Sequence, residues 1–84
     1  MNTLTQYGLL AEKHWREHRP KMVRELEVKG QLQTMLAEAE QKTKEEMADL
    51  RIKFMKEGLT AQQAHDRAWE IVRERYILLP AETD

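Results

Sequence analysis

Residues 32–58 read LQTMLAEAEQKTKEEMADLRIKFMKEG, the longest uninterrupted helical pattern in the chain. Leu32, Leu36, Ala39, Thr43, Met47, Leu50 and Phe54 recur at intervals of three or four residues, which lays one apolar stripe along a helix. Glu38, Glu40, Lys42, Lys44, Glu45 and Glu46 fall between them and read as a solvated face, with opposite charges at helical spacing. No proline or glycine interrupts the run before Gly58. A helix over about 32–56 is on the order of 35–40 Å long at a rise of 1.5 Å per residue. One short neighbour cannot cover it.

The flanks supply the neighbours. On the N-terminal side, Gly30 follows Lys29 as a helix stop, with a cation beside the last carbonyls. The segment from Pro20 to Lys29 places Met22, Val23 and Leu26 on one face. Pro20 lacks an N–H and disfavours helical geometry at Arg19, so a new helix starts there with proline in its first turn. Before it, Leu4, Tyr7, Leu10 or Ala11, His14, Trp15 and His18 carry a helical period, with Thr3 or Thr5 as N-cap. Gly8 weakens that helix by about 1 kcal/mol against alanine. On the C-terminal side, Thr60-Ala61-Gln62-Gln63 is a capping box behind Leu59. The helix it opens carries Ala61, Ala64 or His65, Ala68, Trp69, Val72, Tyr76 and Leu79 and runs to Pro80, with Ala81–Asp84 as a frayed acidic tail. The expectation is an all-α small helical bundle forming a single domain over 1–84. It has a long central helix (about 32–56) and a C-terminal helix (about 60–79).

Composition narrows the function classes. Apolar residues are 40% of the 84, charged residues 35%, and the net charge is −1, a balance that suits a folded chain rather than a disordered one. The absence of cysteine removes disulfides, thiolate nucleophiles and cysteine zinc sites. No apolar run reaches the roughly 18 residues of a membrane span, and no signal-peptide pattern opens the chain. A cytoplasmic protein without a membrane partner is the expectation. There is no serine, no glycine-rich phosphate loop and no calcium-loop spacing, so neither an enzyme nor a cofactor or small-molecule substrate is expected.

One short pattern matches a catalytic motif. His14-Trp15-Arg16-Glu17-His18 is H-x-x-E-H, with two imidazoles one turn apart as zinc would need. It lies immediately before Pro20, where a helix is least regular, and a chain of this size has little room for a substrate cleft. The reading is therefore no metal site. Nucleic-acid binding draws on His14, Arg16, His18, Arg19, Lys21 and Arg24, with Trp15 and Tyr7 nearby. Glu12, Glu17, Glu25 and Glu27 interrupt that patch, and the isoelectric point of about 6.3 is low for a polyanion binder. For a protein partner, Trp69, Arg73 and Tyr76 are hot-spot residue types, and Leu36 and Met47 belong to the long stripe.

From Glu17-His18-Arg19 onward the sequence resembles the small transposon-encoded TnpV-like proteins. Their pattern has a Glu-His-Arg, a short helix, a glycine and a leucine-bearing helix. Leu26, Gly30, Leu32, Leu36, Ala37 and Glu38 fall at matching intervals after Arg19 without a gap. The register extends from about Trp15 to Leu50, under half the chain, and Pro20 and His14 stand outside it. The resemblance implies an accessory protein of a mobile genetic element. It supplies no reaction.

The function these readings lead to is a non-enzymatic protein-binding accessory module that inhibits or regulates a host or element nuclease. The alternatives are a nucleic-acid-binding accessory protein and a structural self-assembling oligomer. Because the central stripe exceeds its neighbours' reach, part of it should stand in water in a monomer and draw in a protein partner or a second copy. If His14 and His18 hold no metal, zinc and chelators leave the melting temperature unchanged. Stoichiometric zinc surviving dialysis, and lost in a His14→Ala/His18→Ala variant, contradicts that reading.

Overall fold

A computed structural model describes residues 4–82 as four helices. They are α1 (Gln6–His18), α2 (Pro20–Val28), α3 (Leu32–Lys56) and α4 (Ala61–Tyr76). Pro20 ends one helix and starts the next. Arg19 takes the non-helical φ −135°, ψ 55°, and Pro20 enters the first turn of α2. At the end of α3, Gly58 adopts φ +105°, its N–H bonds the Met55 carbonyl, and the Leu59 N–H reaches the Phe54 carbonyl. Only glycine takes that conformation without strain, and the paired bonds satisfy two of the helix's last carbonyls. The turn leads straight into α4, whose capping box is formed. The Gln63 N–H donates to Thr60 Oγ1 at 3.2 Å, and the Thr60 N–H donates to Gln63 Oε1 at 3.0 Å.

The α3 stripe is the spine of the molecule, and two helices cover it in succession. Over its N-terminal half, Leu32, Leu36 and Ala39 pack with Ala11 and Trp15 of α1, Val23 of α2, and Ile77. Over its C-terminal half, Met47 packs with Ala68 and Val72 of α4, with Leu50 and Phe54 half-buried beside them. Thr43, between the halves, is fully buried, and its hydroxyl donates to the Ala39 carbonyl at 2.7 Å, so it is not stranded there. The expectation of a stripe left partly in water holds only at its C-terminal end: Leu32, Leu36, Ala39, Thr43 and Met47 are buried, whereas Leu50 and Phe54 are half-buried. Over most of its length this 25-residue helix is covered because α1 and α4 share it rather than compete for it.

Two further expectations change. The C-terminal helix stops at Tyr76 rather than 79. Ile77 turns fully into the core, its carbonyl is taken by the Trp15 indole, and Pro80 excludes helical geometry at Leu79. Residues 77–82 then run as an irregular strap back to α1 and α2, so Glu82 is tied down instead of fraying. Thr83 and Asp84, like the alternative cap Thr3, lie outside the described residues.

Gly8 is buried at the α1–α3 crossing, and a Cβ there would stand 2.9 Å from Glu40 Oε1 and from two Leu4 carbons. The glycine that weakens the isolated helix is what lets it approach α3. Gly8→Ala should therefore destabilise the protein by about 1–3 kcal/mol through overpacking. An open helical site would instead gain about 1 kcal/mol. Urea unfolding reads the sign, and a gain in stability contradicts the close approach.

Candidate functional site

The unusual chemistry of this fold lies in two carboxylates that cap helices to which they do not belong. Glu40 of α3 is 9% exposed, although its position in the charge pattern reads as solvated; this corrects the sequence expectation. Its Oε1 accepts the Thr5 N–H at 2.5 Å, the Thr5 hydroxyl, and the Gly8 N–H at 3.1 Å. Thr5 is the N-cap of α1 but makes no capping bond with its own side chain; the orphan N–H groups turn to α3 instead. Burial pushes the Glu40 carboxyl up, but these donors and the nearby Lys44 outweigh it and hold it below its ordinary 4.5.

Glu82 of the strap does the same for α2. Its two oxygens accept the Lys21 N–H at 3.0 Å and the Met22 N–H at 2.9 Å. Desolvation raises this carboxyl, and the two backbone donors with Arg19 and Lys21 bring it below 4.5. The rest of the strap is held through its backbone. Trp15 Nε1 donates to the Ile77 carbonyl at 3.1 Å, His14 Nε2 lies 2.9 Å from the Leu79 carbonyl, and Arg19 donates to the Pro80 carbonyl at 2.8 Å. The Glu82 N–H closes the set on the His18 carbonyl at 2.9 Å.

Beneath the strap lies a cleft of about 170 Å³, lined by Trp15, Met22, Leu26, Met35, Ala39, Tyr76 and Leu79, with Glu38, Lys42 and Arg75 supplying charge. Arg75 pairs with Glu46, and the same carboxylate holds the Tyr76 hydroxyl proton, which raises that phenol above its ordinary value. A second groove, between α1 and α4, is lined by Gln6, Tyr7, Leu10, His65 and Trp69. Leu9, Val28, Ile52 and Met55 also face outward, but they are spread over three helices.

The residues expected to bind a partner divide. Leu36 and Met47 are enclosed by the chain's own helices and present nothing to a partner, which corrects that expectation. Trp69 is half-buried and packs on Tyr7 with ring centroids 5.5 Å apart. Tyr76 lines the cleft, and Arg73 is half-buried, its Nε shielded without a hydrogen-bond partner, as is His65 Nδ1.

The nucleic-acid set is largely engaged. His14 and Arg19 hold strap carbonyls, and Arg16 pairs with Glu12 and Glu27. His18 stacks on His14 at 4.3 Å and lies near Glu17. The Lys21 N–H caps onto Glu82, and Arg24 is exposed on α2. Among the described residues no three His, Asp or Glu side chains gather in a metal-binding group, and no helix is long and apolar enough to cross a membrane.

Sequence reasoning missed Glu40, Glu82 and Leu79 as residues of the site. Glu40 left a signal, since it stands four residues after Leu36 and three before Thr43, on the core side of the helix. Glu82 left none, because its partners lie some sixty positions away. Comparison with protein-family models, with characterised proteins and with solved structures yields no match.

Both capping carboxyls titrate below their ordinary 4.5, so between that value and their folded values the unfolded chain binds more protons. Their contribution to stability is complete above about pH 4.5 and falls as the pH drops through the folded values. Thermal melts from pH 7 to 3 should show that acid limb, flattened in Glu40→Gln; an unchanged limb contradicts the assignment.

Proposed function

We propose that this protein is a non-enzymatic protein-binding accessory module of a mobile genetic element, acting as an inhibitor or regulator of a host or element nuclease. The observation that carries the reading is the cleft beneath the strap. Methionine, leucine and aromatic side chains leave an apolar depression there, with charges of both signs around it. Methionine adapts to the shape of an incoming side chain, and tryptophan, tyrosine and arginine are the residue types that concentrate binding energy.

Other observations favour binding over catalysis. His14 and the most buried carboxylate, that of Glu40, are committed to holding helices and strap together, which leaves them poorly placed for proton transfer. The engagement of His14, Arg16 and Arg19 by the chain's own acceptors and acids gives the nucleic-acid reading less support. The mobile-element origin rests on the resemblance from Trp15 to Leu50.

Met35 is 39% exposed in the cleft, so Met35→Asp tests the surface without emptying the core. Tagged wild-type and variant chains, matched in melting temperature, are compared by pull-down and mass spectrometry from the native host. A protein enriched by the wild type and reduced about tenfold or more by Met35→Asp is expected, a nuclease among the recovered proteins supporting the regulatory role. Equal recovery by both chains contradicts the cleft as the binding surface.

A further inference from the structure

The strap is recognised mainly through its backbone. The His14 imidazole and the Arg19 guanidinium meet the carbonyls of Leu79 and Pro80, and the His18 carbonyl meets the N–H of Glu82. Three strap side chains add discrimination: Leu78 packs against the core, Leu79 lines the apolar cleft, and three residues after Leu79 the Glu82 carboxylate caps the first turn of α2. Side chains that read carbonyls accept any extended segment, while an apolar residue followed at three positions by an acid is a chemical pattern. Proline is tolerated, because Pro80 contributes a carbonyl and no N–H.

We propose that the corner between the C-terminal end of α1 and the N-terminus of α2 is a receptor for an extended, acid-bearing segment of a partner protein, with residues 78–82 as its built-in, displaceable occupant. This rests on the protein-binding reading and names the partner's chemistry. The helix N-terminus favours a carboxylate, and Arg19 beside it disfavours a basic residue at the same place. Displacement has a natural hinge. Ile77 is fully buried and stays anchored with the α3–α4 body, whereas Pro80 and Ala81 are exposed. Beyond Ile77 the strap holds on by Leu78 against the core, by Leu79 in the cleft and by a short series of hydrogen bonds, all of which an equivalent segment remakes. Bound in cis, the strap occupies the site and lowers the apparent affinity of anything entering in trans.

The test uses a fluorescein-labelled peptide of the chain's own residues 77–82, Ile-Leu-Leu-Pro-Ala-Glu, with blocked ends, and full-length protein. Fluorescence anisotropy is measured against wild type and Glu82→Ala, with far-UV circular dichroism confirming that the helices persist. If Glu82→Ala loses helix, Glu82→Gln takes its place. Binding about tenfold or more tighter to the variant than to wild type is expected, because the cis occupant is weakened. A peptide with glutamine in place of its glutamate should bind about fivefold or more weaker. Equal affinity for wild type and variant, no binding to the variant, or indifference to the peptide's carboxylate overturns the proposal. Failure here with a partner still lost by Met35→Asp removes the receptor alone. Peptide binding with no effect of Met35→Asp removes the cleft's role in capturing that partner.

Discussion

Glu40 stands where the fold is joined. Helix α1 has 13 residues, a length at which an isolated helix is marginal in water, and its N-cap threonine makes no capping bond of its own. A carboxylate projecting from α3 supplies what α1 lacks, through one oxygen shared between Thr5 and Gly8. The consequences run down the chain. Once α1 is fixed on α3, Trp15 and His14 are placed to hold the Ile77 and Leu79 carbonyls, and the strap so held delivers Glu82 to α2. Four elements are thus ordered in series from one buried charge, each supplying the polar partner that the next requires.

The apolar side of the fold follows the same geometry. The two core clusters meet at Trp69 and Tyr76, which pack against both. Small residues let the helices close on each other: Gly8 and Ala11 on α1, Ala39 and Thr43 on α3, Ala64 and Ala68 on α4, all buried. The cleft opens where that close packing gives way to longer side chains, Met22 and Leu26 on α2 and Met35 on α3. The principal extents of 46 × 33 × 14 Å leave no third layer to bury it. An apolar depression at this place is a consequence of where the strap crosses from α4 to α2.

Much of this was legible locally. The apolar period of residues 32–56, the break at Pro20, the stops at Gly30 and Gly58 and the capping box at Thr60 are short-range signals, and each marks an element end as the chemistry of those residues demands. What was not legible depends on pairings across the chain. Nothing beside Glu82 announces that its carboxylate meets residues 21 and 22. Glu40 sits among five other charges and is distinguished only by facing Thr5 and Gly8. The stripe of α3 looked less covered than it is because a helix's length can be read from its period, whereas the sharing of one face by α1 and α4 cannot. The cleft was foreshadowed through Tyr76, but Leu79 was assigned to a helix that ends three residues earlier.

The dependence of the fold on the contact between Gly8 and Glu40 is tested most directly by a double-mutant cycle of Gly8→Ala and Glu40→Ala, measured by urea unfolding. Removing the Glu40 carboxylate takes away one of the atoms that crowd the methyl group added at position 8, leaving the Leu4 carbons, so the cost of Gly8→Ala should shrink in that background, with a coupling of about 1 kcal/mol or more. Costs that add within about 0.5 kcal/mol would contradict the account, because independent sites behave that way.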